Sequence, residues 1–196
     1  EKFIFKKADF VIAPNTDNLE YAFSNGLKRD KGEVVRYGSL IHEYHLIHPH
    51  LRKDKSFFSK ELSFDENFTY LIYVGRLEKV KRVIDLVPII KNLCDPQIKL
   101  LIVGQGSQEQ DLRDAINSNN LSKTIFLLGE KNQEWLSKCL PNCSCFLATH
   151  TGRALAEASF AGLPVVGYDI DWHSEIVKDG TSGFLIKTGD FKSFSN

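Results

Sequence analysis

Residues 149–163, THTGRALAEASFAGL, lie at the junction between an apolar strand and a helix. The preceding run CFLA, at 145–148, has the continuous hydrophobicity of a buried strand, and after it small and apolar residues recur at helical spacing, at positions 154, 155, 158 and 161. The first N–H groups of such a helix, around Gly152, have no backbone partner, and the helix dipole adds partial positive charge. Because phosphate binds readily at such an end, this stretch predicts an anion site at a strand-to-helix turn.

The chain from residue 68 onward repeats the same unit of apolar strand, turn and amphipathic helix. Strands are predicted at 70–74, 99–103, 125–128, 143–148, 165–168 and 184–186, and helices at 80–93, 107–118, 132–139, 152–161 and 172–178. Strands that alternate with helices form a parallel sheet covered on both faces. The predicted fold class is therefore α/β, a doubly wound, Rossmann-like parallel sheet, whose right-handed crossovers bring the strand-to-helix turns to one ligand-binding edge.

The first third of the chain predicts a different organisation. Residues 1–38 contain a strand at 10–13, a helix that begins at Asn15 or Thr16 and ends near Gly26, and a second strand at 34–37. One helix cannot cover both faces of two strands, so we expect this piece to be the tail of a preceding domain. Residues 39–67 are interpreted as a polar connector, and residues 68–196 as a ligand-binding domain. We expect the chain to begin inside a longer protein and its final helices to be truncated.

Composition narrows the functional classes. The 196 residues include 25 basic and 25 acidic side chains, and 42% of them are hydrophobic. This balance favours a buried core and argues against nucleic-acid binding, and no apolar run reaches the length of a membrane span. The four cysteines are expected to be reduced thiols of a cytoplasmic protein.

Two clusters raise the alternative of a metal site. Histidines stand at positions 42, 45, 48 and 50, and cysteines at positions 139, 143 and 145. Pro49 interrupts any helix that would align the histidines, and the cysteines lack a second ligand pair at fixed spacing. We therefore expect a solvated connector, buried thiols and no metal.

Basic residues follow the first strand of the repeating region. In the turn GRLEKVKR, at 75–82, Arg76 follows Gly75 at the strand end and Lys81 lies five residues further on. The guanidinium group offers a fork for two phosphate oxygens and the ammonium group a movable point charge. Convergence of both cations on one anion is the functional interpretation, and a solvated basic surface is the alternative.

The later turns carry weaker signals. The turn GQGSQE, at 104–109, half-matches the dinucleotide fingerprint, but Glu109 stands where a third glycine is needed, so NAD is not expected. We favour a tight turn with Ser107 as the helix cap, in which Gly104 and Gly106 remain candidates to face a ligand. Glu130 marks a turn whose backbone is a candidate to face a base. Trp172, after the fifth strand, either stacks on a sugar or packs inward.

Several motifs in one order resemble a known family. The segments GRLEKVK, LLIVGQGSQ, TIFLLGE, HTGRALAEASFAGLPVV and SEIVKDGTSGFLI, spread over about residues 69–190, are similar to the donor-binding domain of a group 1, family 4 glycosyltransferase. The segment ADFVIAPNTDNLEYAFSNG, before them, resembles the end of the acceptor domain of such an enzyme. The resemblance implies the GT-B architecture, two facing doubly wound domains with the active site in the cleft.

The resemblance also implies the reaction and its residues. A sugar would pass from a nucleotide diphosphate sugar to a glycan or lipid-linked acceptor with retention of configuration, in polysaccharide or glycoconjugate biosynthesis. Arg76 and Lys81 would bind the diphosphate and Glu157 the ribose, and no metal or cofactor would be needed, because fixed cations and helix N–H groups stabilise the departing diphosphate. The expected donor-binding set is Gly75, Gly104, Gly106, Glu130, Thr149, His150, Thr151, Gly152, Arg153, Ala154 and Leu155. Peripheral attachment to the inner face of a membrane would lie with the missing domain.

One departure from the family pattern leaves alternatives open. The family has two glutamates eight residues apart, and Glu157 matches the second, but Thr149 stands at the first. A hydroxyl group there can bond a sugar but carries no negative charge. We favour a subfamily with altered sugar contacts. A sugar-nucleotide 2-epimerase and a non-catalytic nucleotide-sugar-binding subunit remain the alternatives, and the fragment alone is not expected to catalyse transfer.

Overall fold

The computed structural model describes residues 2–36, 54 and 56–195. The chain is divided into two compact units, Glu1–Gly38 and Ser39–Asn196. The four clustered histidines lie outside the described residues. None of the helices in the described ranges has the length and apolar character needed to cross a membrane.

The first unit contains a helix α1 (Lys2–Lys7), a strand β1 (Val11–Ala13), a helix α2 (Thr16–Ser24) and a strand β2 (Gly32–Val34). The two strands pair in parallel, and the side chain of Asn15 caps α2 by accepting from the Asn18 N–H at 2.8 Å, as the sequence predicts. The second strand begins two residues earlier than expected. A Cβ atom at Gly32 would press against Leu19, so glycine, which usually weakens a strand, here lets the helix pack closely.

The second unit is a six-stranded, wholly parallel sheet with the order β5-β4-β3-β6-β7-β8. Its strands are β3 (Thr69–Val74), β4 (Ile98–Val103), β5 (Ile125–Leu127), β6 (Cys145–Ala148), β7 (Val165–Tyr168) and β8 (Gly183–Ile186). Its helices are α3 (Ser56–Leu62), α4 (Leu86–Leu93), α5 (Glu109–Ser118), α6 (Gln133–Cys139), α7 (Arg153–Phe160), α8 (His173–Ile176) and α9 (Phe191–Phe194). All six strands are near their predicted positions.

Apolar side chains form a core on each face of this sheet. One core packs α3, α6 and α7 against alternate strand residues such as Ile72 and Phe146. The other packs α4, α5 and α9 against the intervening residues, such as Leu71 and Leu147. This two-sided burial confirms the prediction of a doubly wound, Rossmann-like α/β fold.

Three elements differ from the sequence prediction. The helix expected at 80–93 begins only at Leu86, because Arg82 adopts a left-handed backbone with φ +53° and splits the preceding segment into two short 3₁₀ turns. The strand expected from Cys143 begins at Cys145, since a 3₁₀ turn at Leu140–Asn142 precedes it. Helix α3 lies within the predicted connector, and its Phe57 and Phe58 are buried in the sheet core.

Candidate functional site

The turns after β3 and β4 are joined by backbone hydrogen bonds. The N–H of Leu77 donates to Gln105 at 2.9 Å, and the N–H of Gln108 donates back to Leu77 at 2.7 Å. Gly104, with φ +139°, and Gly106 leave no room for a Cβ atom, which would overlap the backbone of the first turn. These glycines are therefore required for the close approach of the two turns, as the tight-turn interpretation expects, and a donor contact by them stays a prediction.

The prediction that Ser107 caps the following helix is wrong. Helix α5 begins after Gln108, and no side-chain cap hydrogen bond forms there. Ser107 instead donates from its hydroxyl group to Glu78 at 2.6 Å, and its N–H donates to the same carboxylate at 3.2 Å. These hydrogen bonds lower the pKa of Glu78. Ser107 thus links the second turn to the first.

Lys81 connects the turn after β3 to the turn after β6. Its ammonium group donates to the carbonyl oxygen of Thr151 at 2.6 Å and lies 3.4 Å from Nδ1 of His150. Partial burial is the main cause that lowers the pKa of Lys81, and repulsion from Arg76 lowers it further. The negative charge of Asp171 partly opposes this decrease. Two cations that repel each other near an open turn favour an anion, which would relieve the repulsion. The charges of Arg76 and Lys81 therefore act on each other, and their convergence on one anion stays a prediction.

The beginning of α7 is open to a ligand. Gly152 is the N-cap residue, with an extended backbone and no side-chain cap, and Arg153 after it is exposed. Ala154 is half-buried, whereas Leu155 is buried in the core and its N–H donates to Gly152 at 3.1 Å. The uncapped N-terminus matches the predicted anion site. Leu155 is a correction to the expected donor-binding set, because both its side chain and its N–H are engaged within the protein.

Glu157 lies on the inward face of α7. The residue is only 2% exposed, and its Oε1 is 3.0 Å from Nε of Arg153, one turn earlier. This oxygen accepts no hydrogen bond from any described residue. A buried carboxylate oxygen without a hydrogen bond is costly in a folded protein, and a ligand hydroxyl group would satisfy it.

Thr149 does not face an open site. It is fully buried, and its hydroxyl group donates to the carbonyl oxygen of Lys81 at 2.8 Å. The expectation that this hydroxyl group bonds a sugar is therefore wrong for this conformation, because the side chain turns from the end of β6 towards the β3 turn. Its contact instead fixes the backbone of the residue that carries the cation.

The segment that joins β7 to α8 adds Asp171 and His173, which the sequence analysis did not select. Asp171 has a left-handed backbone with φ +46°, and its Oδ2 accepts from the hydroxyl group of Thr151 at 3.1 Å. His173 is fully buried with Nδ1 2.6 Å from the carbonyl oxygen of Tyr168, and burial lowers its pKa. Trp172 packs against the sheet core, which favours the packing interpretation over stacking on a sugar. Because Thr151 and Asp171 are 20 residues apart in the chain, only the fold reveals this contact.

Glu130 occupies a different part of the same sheet edge. Its carboxylate accepts from the side-chain amide of Gln105 at 2.8 Å, and the preceding Gly129 accepts from the N–H of Gly104 at 2.9 Å. The turn is thus joined to the turn after β4, while its proposed contact with a base stays a prediction.

Two of the four cysteines pack as buried thiols, whereas Cys94 is exposed and Cys145 is half-buried. Cys139 and Cys143 are both buried with their Sγ atoms 3.9 Å apart, and desolvation raises the pKa of Cys143. Across residues 2–36, 54 and 56–195, no group of three or more histidine, cysteine or acidic side chains is arranged to hold a metal ion.

Comparison with known proteins places this site in a family. The family model described as glycosyl transferases group 1 matches residues 54–196. An N-acetyl-alpha-D-glucosaminyl L-malate synthase from Bacillus anthracis is 25% identical over 93% of this chain and 53% of that protein. A UDP-Gal:alpha-D-GlcNAc-diphosphoundecaprenol alpha-1,3-galactosyltransferase from Escherichia coli is 30% identical over 70% of this chain and 37% of that protein.

A solved structure supports the same fold. The crystal structure of Anabaena Alr3699/HepE in complex with UDP matches 98% of this chain and 54% of its own, with a TM-score of 0.82 and 24% identity. The chain thus spans about half the length of the Bacillus anthracis and Anabaena proteins and 37% of the Escherichia coli protein, and its sheet is the Rossmann-like domain of a GT-B architecture. The matched family model covers most of the second unit and includes every residue of the site described above. The chain therefore belongs to the group 1 glycosyl transferases.

Proposed function

We propose that the second unit binds a nucleotide diphosphate sugar and that the whole protein transfers the sugar to an acceptor with retention of configuration. The observation that carries this proposal is the contact of Lys81 with Thr151, immediately before the uncapped N-terminus of α7. Arg76, whose charge acts on Lys81, is the second cation in this proposal, and the uncapped helix end supplies the N–H groups. A diphosphate is the ligand that such a position favours.

The same groups have a chemical role. When the glycosidic bond of the donor breaks, negative charge develops on the leaving diphosphate. Cations and N–H groups that are already in place stabilise this charge without reorganisation and so lower the barrier. We include in the proposal that no metal ion takes part, because these residues supply the positive charge.

Glu157 completes the proposed site on the ribose side. Its buried Oε1, which has an ion-pair partner but no hydrogen bond, is suited to accept from a ribose hydroxyl group. The relatives support a nucleotide sugar as donor, since the galactosyltransferase from Escherichia coli is named for UDP-Gal and the Anabaena protein binds UDP. The acceptor in this proposal is a glycan or a lipid-linked glycan at the inner face of the membrane, in polysaccharide or glycoconjugate biosynthesis.

Calorimetric titration of the chain with UDP, GDP and ADP tests the donor site. We expect one nucleotide to bind and both Arg76→Ala and Glu157→Ala to weaken it by about tenfold or more, the loss of one charged hydrogen bond. Arg113→Ala is the matched control, because Arg113 is an exposed arginine on α5 that pairs with Glu109. Unchanged affinity in both site variants, or equal loss in the control, would contradict the proposed site.

The neutral, buried Thr149 supports one further candidate, a nucleotide-sugar-binding subunit without catalysis. Incubating the full-length protein with a radiolabelled nucleotide sugar and a glycan acceptor separates the candidates. Transfer of label to the acceptor supports the transferase, and a 2-epimer of the donor supports the epimerase. Tight donor binding with an unchanged donor supports the subunit.

A further inference from the structure

A second carboxylate lies beside the proposed diphosphate position, because Asp171 contacts Thr151 and its charge acts on Lys81. Asp171 contacts Thr151, the residue before Gly152, whereas Glu157 contacts Arg153, the residue after it. The two acidic side chains therefore contact different residues of the segment that leads into α7. We take the ribose end of the diphosphate to lie at Glu157 and the sugar end to lie at Asp171.

Asp171 is accessible to a ligand. The residue is exposed, and the hydrogen bond from Thr151 goes to Oδ2 of its carboxylate. Thr149 is fully buried, and the ammonium group of Lys81 is a donor that suits the diphosphate rather than an acceptor for a sugar hydroxyl group. The exposed acceptor beside this turn is therefore a carboxylate.

The charge of Asp171 decides which part of a ligand it suits. A carboxylate repels a diphosphate but accepts strong hydrogen bonds from neutral hydroxyl groups. The left-handed backbone at φ +46° is one that aspartate tolerates better than most residues, and the Thr151 hydroxyl group holds the side chain over the turn. The carboxylate is thus presented in a fixed place next to the cations.

We infer that Asp171 is a specificity-determining residue that accepts a hydrogen bond from a hydroxyl group of the donor sugar. This inference rests on the proposed function, because it requires a diphosphate between Lys81 and the N-terminus of α7. It assigns to this chain a preference for sugars that carry a hydroxyl group within reach of this carboxylate, and it separates recognition of the sugar from recognition of the nucleotide.

The test compares a nucleotide with its sugar conjugates. The unaltered chain is titrated with UDP, UDP-glucose, UDP-galactose and UDP-N-acetylglucosamine, and the tightest conjugate is then titrated against Asp171→Asn and Asp171→Gly. Asparagine keeps the shape and tolerates the left-handed backbone, and glycine removes the side chain without backbone strain. We expect both variants to weaken the conjugate by about tenfold or more and to leave UDP unchanged or slightly tighter.

Asp169→Asn is the matched control, because Asp169 is an exposed aspartate two residues earlier in the same turn. We expect Asp169→Asn to change neither the affinity for UDP nor the affinity for the conjugate. Equal effects of Asp171→Asn on UDP and on the conjugate, or no effect on either, would overturn the role of Asp171 while leaving the proposed function intact. Weaker binding of the conjugate in Asp171→Asn but not in Asp171→Gly would overturn it as well, because both variants remove the carboxylate. Failure of the unaltered chain to bind UDP or any conjugate would overturn both.

Discussion

Replacing Glu157 by glutamine should raise the stability of the free chain while it weakens nucleotide binding. Glu157 is 2% exposed, and its Oε1 has an arginine 3.0 Å away but accepts no hydrogen bond from the described residues. Its partner Arg153 is 58% exposed in its side chain, so water screens the pair. The folded chain therefore carries a poorly compensated charge, and Glu157→Gln keeps the shape while it removes that charge.

The expected magnitudes have opposite signs. A buried, incompletely satisfied acceptor costs about 1–3 kcal/mol, and a half-exposed ion pair returns less than about 1 kcal/mol. The variant should therefore gain roughly 0–2 kcal/mol in the free energy of unfolding. If the carboxylate binds a ribose hydroxyl group, the same change should cost about 1.5–3 kcal/mol in nucleotide affinity.

Urea denaturation and calorimetric titration measure the two effects on the same protein. Glu109→Gln is the control, because it removes another glutamate that pairs with an arginine one turn away, on the surface of α5 and outside the site. We expect this control to change stability by no more than about 0.5 kcal/mol and to leave nucleotide binding unaltered. A Glu157→Gln variant that is clearly less stable than the control would show that the carboxylate is a structural group, and full nucleotide affinity in that variant would refute its contact with the ribose.

Three further predictions concern the cation, the turn glycines and the buried histidine. Titration with a nucleoside diphosphate should show about tenfold or greater weakening in Lys81→Met, and none in Lys79→Met, an exposed lysine of the same 3₁₀ turn. In urea denaturation, Gly104→Ala should lower the free energy of unfolding by roughly 2–5 kcal/mol, because its methyl group would overlap a backbone carbonyl oxygen. Gly129→Ala, with no described atom within 4 Å of the added methyl group, should lower it by only about 1–2 kcal/mol. Burial lowers the pKa of His173 from its ordinary value of 6.5, so near and below that value the unfolded chain binds a proton that the folded chain excludes. The free energy of unfolding should therefore decrease as the pH is lowered from about 7.5 to about 5.5. The His173→Gln variant should show a flatter pH profile.

The sequence predicts the sheet well because its strands are buried on both faces. Runs such as LLIV at 100–103 are apolar at every position, so strand pattern and burial agree, and the alternation with helices then determines a parallel sheet. The same rule brings the turns that carry Arg76, Lys81 and Gly152 to one edge, where the structure finds them. Local pattern and global topology coincide in this part of the chain.

The differences arise where a long-range contact decides the conformation. Arg82 stands within a helical pattern, but its left-handed backbone places its side chain on Asp85 at 2.8 Å, and Asp85 also accepts from the hydroxyl group of Tyr168 at 2.9 Å. Helix α3 has no recognisable pattern in the sequence, because two phenylalanines within a polar segment give no periodic signal, although the sheet core buries both. Side-chain partners 83 residues apart have no signature in a local window.

Thr149 shows how such a contact changes the interpretation of a residue. Its position suggested a lost carboxylate, yet a glutamate there would have no proton to give to the carbonyl oxygen of Lys81, which the threonine hydroxyl group reaches at 2.8 Å. A charged side chain at this fully buried place would also lose its hydration. The hydroxyl group of Thr149 thus fixes the backbone of Lys81, while the carbonyl oxygen of Thr151 accepts a hydrogen bond from the ammonium group of Lys81. With the backbone of Lys81 held at one end and its ammonium group at the other, little reorganisation is needed before a diphosphate binds, and this preorganisation is what the threonine contributes.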